Sequence, residues 1–326
     1  MTRLSELGEF GLIHKITRSL KRSGGVVEGV GDDCAVLRMG GSLMLATCDA
    51  SVEEVHFRRS WGRPREVGWK IAASAISDIA AMGGAARYVL AALASPVAHD
   101  TEYIEALAAG MIEAIEAAEA VLVGGDMTAS GDRLAVDVTV LGEVTQGRYL
   151  SRSCACPGDL IAVTGYPGQS AAGLMALERH IDAPLLIESH LHPIPRLREG
   201  QWLARQDAVH AMIDLSDGLL QDTGHLADCS RVGINIDSDL VPLSPALNGF
   251  DSTLCEPLEC LALSGGEDYE LIIALDAGHA PGLCHAFEER FALPLTIVGR
   301  VETGYTGIRL DREIPGRRGF DHFGAG

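Results

Sequence analysis

Five short acidic islands carry most of the chemistry that this sequence could perform. The first is Gly29-Val30-Gly31-Asp32-Asp33, where two adjacent carboxylates follow glycines that can bend tightly and expose backbone N–H groups. Thr47-Cys48-Asp49, Ser77-Asp78, Gly124-Gly125-Asp126 and Asp214-Leu215-Ser216-Asp217 follow, each at the edge of an apolar or glycine-rich segment. Burying neighbouring unpaired carboxylates is costly, and a divalent cation reverses that sign. Magnesium takes hard oxygen ligands and commonly combines a few carboxylates with waters and substrate phosphates. Isolated aspartates on separate loops suit that ion, and phosphoryl transfer asks for little beyond positioning and charge neutralisation. The residues thus point to a magnesium-dependent enzyme acting on phosphates, without naming the substrate.

Other chemistries lack their residues. No His-x-x-x-His pair supports a mononuclear zinc hydrolase, and His190-x-His192 has no matching cluster. There is no Gly-x-x-x-x-Gly-Lys-[Ser/Thr] loop, no protein-kinase motif set and no Gly-x-Ser-x-Gly elbow. The eight cysteines show no Cys-x-x-Cys spacing, which disfavours structural zinc, and reduced thiols of a cytoplasmic protein fit better than a disulfide framework. A formal net charge of −19 repels nucleic acid. Neither a secretory leader nor an apolar run of membrane-spanning length is expected, because charges interrupt the alanine-rich segments.

The elements that would position the acids read as alternating helices and strands. A helix is expected over 9–20, strands over 26–30 and 35–37, and a strand over 42–47 that delivers Asp49 at its C-terminal end. A long helix from Pro64 to about Met82 is nearly all small and apolar except for Lys70 and Asp78. Lys70 lies two turns from Asp78 and offers it a structural partner, the alternative to a metal-linked role. Strands over 87–94 and 121–123 flank a helix over 101–118, and a strand over 134–144 precedes a domain boundary near residue 150. The second half reads as a strand over 160–164, a glycine turn feeding a helix over 169–179, which is an available anion site, and a helix over 196–205. A strand over 209–213 ends at Asp214, with Ser216 or Asp217 as a candidate cap for the helix that follows. At 326 residues, two domains, 1–150 and 151–326, are the expectation.

Read in order, Gly-Val-Gly-Asp-Asp-Cys-Ala-Val (29–36), Thr-Cys-Asp (47–49) with His56, Ser-Asp-Ile-Ala-Ala-Met-Gly (77–83), Gly-Gly-Asp (124–126), Asp-Leu-Ser-Asp-Gly-Leu (214–219) and Ser-Gly-Gly-Glu-Asp-Tyr-Glu-Leu (264–271) resemble the thiamine-monophosphate kinase family. That family is part of the aminoimidazole ribonucleotide synthetase-like superfamily. The resemblance runs from Gly8-Glu9-Phe10 to Phe320-Asp321-His322-Phe323, nearly the whole chain. It implies an α/β (α+β) fold of two domains, the N-terminal one dimerising and the C-terminal one closing over the nucleotide. It also implies ATP-dependent phosphorylation of thiamine monophosphate to the diphosphate by direct transfer with several Mg²⁺ ions, in a homodimer and with no catalytic side chain. Carried over by motif, Asp33, Thr47, Cys48, Asp49, Asp78, Asp126, Asp214 and Asp217 would surround the metals. Gly125, Asp126, Arg152 and Ser216 would contact ATP, and His56, Glu267 and Phe320 the thiamine part. Cys48 stands where the family usually has threonine. A thiol is a poor Mg²⁺ ligand, so any ligation there is expected from the backbone carbonyl. A sister selenophosphate synthetase would need a reactive Cys between Thr2 and Gly31, where none stands, and the hydrogenase-maturation member would end in cysteine rather than Gly326. A non-catalytic nucleotide-binding module is the remaining alternative, explaining the acids but not Glu267 together with Phe320.

Overall fold

The computed structural model describes residues 8–20, 24–144, 147–248, 250, 257–312 and 319. Two six-stranded sheets, one from each half of the chain, carry helices against them. The first half runs α1 (Glu9–Thr17), β1 (Val26–Glu28), β2 (Ala35–Met39), β3 (Ser42–Val52), α2 (Pro64–Ala81), β4 (Ala85–Pro96), α3 (Thr101–Ala117), β5 (Val121–Ser130) and β6 (Ala135–Glu143). Its sheet has the order β1-β2-β3-β6-β4-β5, antiparallel throughout except for the parallel β4–β5 pair at the edge.

The second half runs β7 (Leu160–Thr164), α4 (Gln169–Glu178), α5 (Pro184–Leu191), α6 (Leu197–Leu203), β8 (Val209–Leu215), α7 (Leu219–Ser230) and β9 (Gly233–Ile236), followed by α8 (Leu258–Ser264), β10 (Glu270–Leu275), α9 (Ala280–Phe291), β11 (Leu295–Glu302) and β12 (Gly307–Leu310). Its order is β12-β9-β11-β7-β10-β8, with β12–β9 the parallel pair. All six residues of β10 are buried, as expected for a central strand covered on both faces.

α2 is the hinge of the arrangement. Its apolar residues make it a helix buried nearly all round, and Glu66 Oε2 accepts from the Arg63 backbone N–H (2.6 Å) at its start. It crosses α3 backbone to backbone: a Cβ on Gly68 would lie 1.9 Å from Leu107 O, and one on Gly110 would lie 1.8 Å from Arg65 O. No residue but glycine fits either position. On its other side α2 reaches the second half, where Ser77 Oγ donates to Asp214 Oδ2 (2.7 Å) and Trp69 Nε1 donates to Pro193 O (2.8 Å).

Several expected boundaries move. β3 runs on to Val52, so Asp49 stands within a strand and not at its end. β5 continues to Ser130 through both glycines, which read as breakers in the sequence. The reason is contact: a Cβ on Gly125 would lie 1.8 Å from Ala91 O on the neighbouring strand. α5, between two histidine-containing turns, is a helix that the sequence reading missed.

Candidate active site

Asp33, Asp78 and Asp214 come from a turn, a helix and a strand, yet each offers an oxygen within 4.8 Å of the others. Asp78 accepts from Thr47 Oγ1, and Asp214 accepts from Ser77. Arg152 Nη2 donates to Asp33 Oδ1, and the Arg152 backbone N–H donates to Asp32 Oδ2 (3.2 Å). Asp33 Oδ2 is buried without a hydrogen-bond partner among the described residues. Burial, then the neighbouring carboxylates, pushes Asp78 and Asp214 upward from the usual carboxylate range. Burial followed by Asp33 pushes Asp32 up to about 7. A set of buried carboxylates with one guanidinium among them, and one oxygen left unpartnered, is the electrostatic signature of a place built for further positive charge. Its all-oxygen donors fit Mg²⁺.

The sign of the pH dependence follows. A carboxyl whose folded pKa is raised adds stability while protonated, fully so below its unfolded pKa near 3.8, and loses it as pH rises through about 7. Without divalent cations the melting temperature should therefore fall between pH 5 and 8. Mg²⁺ should raise it more at pH 8 than at pH 5, where protons compete. Thermal melts at the two pH values check this, and an equal Mg²⁺ effect at both would refute the assignment.

Asp78 and Asp214 open on a cavity of about 490 Å³. Asp49, Asp78, Asp214, Ser216 and Asp217 line one part of it, and His56, Phe57, Trp61, Lys70 and Glu267 another. One stripe of α2 (Val67, Lys70, Ile71, Ser74 and Asp78) forms a wall, spaced as one face of a helix must be. Lys70 does not pair with Asp78. Its Nζ lies 2.9 Å from Glu267 Oε2 and 3.0 Å from His190 Nε2. An ammonium only donates, so His190 accepts at Nε2 and carries its proton on Nδ1, 3.0 Å from Ser170 Oγ. Burial and then Lys70 pull His190 down to about 3, so the ring is neutral. Burial pushes Glu267 up, but Lys70 and His190 outweigh it and the net shift is downward. Lys70 and His190 are functional candidates that sequence reasoning missed, since Glu267 lies almost two hundred positions from Lys70 and nearly eighty from His190.

Glu267 and Tyr269 both hold left-handed backbone (φ 65° and 53°), an uncommon state for residues with side chains. Bonds from Glu267 N to Ser216 O (2.7 Å) and from Tyr269 N to Leu215 O (2.8 Å) impose it. The other acids of that motif are structural. Asp268 accepts from Gly168 N (2.5 Å) and Ser170 N (2.9 Å), which fills the helix start read from sequence as an anion site. Glu270 pairs with Arg196 and accepts from Thr164 Oγ1 (2.5 Å). At the start of α7, Asp222 Oδ2 takes the N–H groups of Ser216, Asp217 and Gly218 at 3.0, 3.0 and 3.1 Å. The N-cap position is Gly218 and the N–H groups before the helix are taken by Asp222 of its first turn, so neither Ser216 nor Asp217 acts as a cap, and both line the cavity. His56 accepts from Val52 N at Nδ1 (2.9 Å).

Gly125 and Asp126 stand apart from this set, whereas Cys48 borders the cavity beside Asp49 while its thiol turns to Asp137. Asp126 pairs with Ala92, Ala92 with Asp137, and Asp137 with Ala50 on β3. At about 4.8 Å per strand, that register leaves Asp126 roughly 14 Å from β3. It lies on the sheet face that also carries Cys48, whose Sγ sits 3.2 Å from both oxygens of Asp137. A single folded chain does not bring Asp126 to the other aspartates. Phe320 lies outside the described residues. Cys48→Thr should keep turnover within roughly twofold, as for other exposed substitutions. A steady-state assay checks it, and a collapse in rate would give the thiol a role of its own.

Two family models cover the chain: AIR synthase related protein, N-terminal domain, over residues 31–144, and AIR synthase related protein, C-terminal domain, over 156–310. The thiamine-monophosphate kinase of Escherichia coli K12 is 37% identical over 330 residues, covering 97% of this chain and 98% of that protein. The chain belongs to the thiamine-monophosphate kinase family. The Bacillus subtilis enzyme of that name is 33% identical over 97% of this chain and 100% of its own length. A solved structure of this family, AaThiL complexed with AMPPCP and TMP, matches with a TM-score of 0.86 at 33% identity, covering 99% of each chain. Family membership agrees with the two-sheet architecture and with a cavity that joins an acidic end to an aromatic one.

Proposed function

We propose that this protein transfers the terminal phosphoryl group of ATP to the phosphate of thiamine monophosphate, giving thiamine diphosphate and ADP. The observation that carries the reading is the single cavity with a carboxylate cluster at one part and His56, Phe57, Trp61 and Glu267 at another. Likeness to AaThiL complexed with AMPPCP and TMP supports the same pair of ligands here.

The nucleophile is a phosphate oxygen of the acceptor, which is largely ionised at neutral pH because its second pKa is near 6. No side chain has to remove a proton, and the described cavity holds no nucleophile–base pair. The work left to the protein is to orient two anions in line and hold them close. Asp33, Asp49, Asp78, Asp214 and Asp217, with Thr47 and the Cys48 carbonyl, would hold Mg²⁺, which when bound supplies the positive charge that lets phosphates sit among carboxylates. Arg152, a bidentate donor already beside Asp33, and Ser216 would face the nucleotide. His56 and Glu267 would face the thiamine part, with Phe57 and Trp61 offering ring faces to a cationic heterocycle; Phe320 belongs to the same proposed set.

The protein would act as a homodimer. β5 is exposed almost end to end, and Tyr88, Leu90, Leu122 and Met127 are exposed on β4 and β5. A long apolar edge strand invites pairing, and a second copy seated there would take Gly125 and Asp126 into the interface, where Asp126 would join the cation and nucleotide set. Leu90→Lys should convert a dimer into a monomer in sedimentation analysis; a wild-type protein that is monomeric at micromolar concentration refutes the dimer.

No helix among the described residues is long and apolar enough to cross a membrane, and the described cysteines are all free thiols. Both accord with a cytoplasmic enzyme. Incubation with ATP, Mg²⁺ and thiamine monophosphate, followed by chromatography, tests the function. Matched formation of thiamine diphosphate and ADP is expected. ADP without thiamine diphosphate, or nucleotide binding without turnover, would overturn it.

A further inference from the structure

The cysteine spacing predicts no zinc site, yet the fold assembles three ligands of mixed type at the start of the second sheet. We propose that Cys156 Sγ, the Asp159 carboxylate and His210 Nδ1 bind one borderline-soft divalent cation of the zinc class, at a site separate from the aspartate cluster. The three groups offer ligand atoms within 4.8 Å of one another. His210 Nδ1 lies 2.9 and 3.0 Å from the two Asp159 oxygens.

The ligands stand on rigid elements. Cys156-Pro157-Gly158-Asp159 is a tight turn with Gly158 at φ 97°, closed by Asp159 N to Cys156 O (3.0 Å) and by Cys156 N to Asp159 Oδ2 (2.8 Å). Proline followed by a residue of positive φ is the type II pattern. His210 stands on β8, whose Val209 pairs with Leu275, and Leu275 pairs on its other side with Leu160, next to Asp159. The end of β10 therefore fixes the spacing of the turn and the imidazole, as a preformed site requires. The Asp159 side chain is 4% exposed and that of His210 32%, while Cys156 is exposed, so the ligands are held from below and open from above.

Donor chemistry separates this site from the catalytic one. Thiolate and imidazole select zinc-like ions, and magnesium prefers the all-oxygen set. Three protein ligands leave a fourth position for water. Binding displaces the thiol proton to solvent and requires the His210 ring proton, now on Nδ1 facing Asp159, to move to Nε2, so with a neutral imidazole each ion bound releases one net proton, from Cys156. His210 precedes Asp214 by four residues on the same strand, about 13 Å of extended chain. The simpler account, in which Asp159 only closes its turn and steadies His210, leaves the thiol with a 3.5 Å contact to Cys154 O and does not account for its placement within ligand distance of both the carboxylate and the imidazole.

Titration of the full-length protein with Co²⁺ in excess Mg²⁺ decides between them. A thiolate-to-cobalt charge-transfer band in the near ultraviolet is expected, saturating at one Co²⁺ per chain and displaced by Zn²⁺. Cys156→Ser should abolish the band while keeping native circular dichroism and Mg²⁺-dependent turnover. Cys154→Ser should retain it, and His210→Ala should weaken binding about 10-fold or more. No band in the wild type, a band unchanged in Cys156→Ser, or wild-type affinity in His210→Ala would each overturn the proposal.

Discussion

Asp78→Asn should lower thiamine diphosphate formation by on the order of 10²–10³-fold, the scale of removing one electrostatic contact from a phosphoryl or acyl transition state, while the folded protein becomes no less stable. The two effects have opposite signs for one reason. Asp78 is buried, and burial together with Asp214, Asp33 and Asp49 disfavours its charge. Asparagine keeps the shape and the contact with Thr47 but removes a negative charge that the cation-free protein holds at a cost. The cation loses a ligand it cannot replace. Turnover and a thermal melt on the same preparation check this. Wild-type turnover would refute a metal role for Asp78, and a sharply lowered melting temperature would mark it as an ordinary structural residue.

Lys70→Met should do damage of a different kind. It leaves Glu267 and His190 facing each other without the ammonium that satisfies both. Breaking a buried pair by removing one partner costs 3–5 kcal/mol. Because the Glu267 side chain keeps 29% exposure, about 3 kcal/mol is the fitting figure here. Glu267 also loses the charge that holds its carboxyl below the ordinary range, so KM for thiamine monophosphate should rise at least about tenfold, the equivalent of 1.4 kcal/mol, with a smaller change for ATP. Lys70→Met combined with Glu267→Gln separates the two consequences: stability should return, because no uncompensated charge remains, and acceptor affinity should not. Recovery of both, or an equal rise in KM for both substrates, would refute the positioning role.

The acids that converge were legible because each sits where a strand or helix has no structural use for a carboxylate. Asp33, Asp78 and Asp214 could be chosen by that criterion alone, and a resemblance in motif order supplied the reaction. What sequence could not supply was pairing across long separations. Lys70 and Asp78 share one helix face two turns apart, and only the fold shows that Lys70 turns to Glu267 instead. Asp222, Asp268 and Glu270 carry the same carboxylate chemistry, yet backbone N–H groups and Arg196 claim them in the structure. Gly124-Gly125 read as a turn because glycine usually breaks a strand. Here it permits a close strand contact that no local rule encodes. Asp126 stands on a face turned away from its motif partners, a placement set by the strand register and not by any local rule.

The bare crossing at Gly68 and Gly110 has one more consequence. With no side chains between them, α2 lies directly on the α3 backbone, and Lys70 and Asp78 stand eight residues apart on that same helix, about 12 Å along its axis. Under the proposed function, the carboxylate that Lys70 orients and the acid that would hold the cation are thus spaced by one helix, and an acceptor's length would be read against that interval.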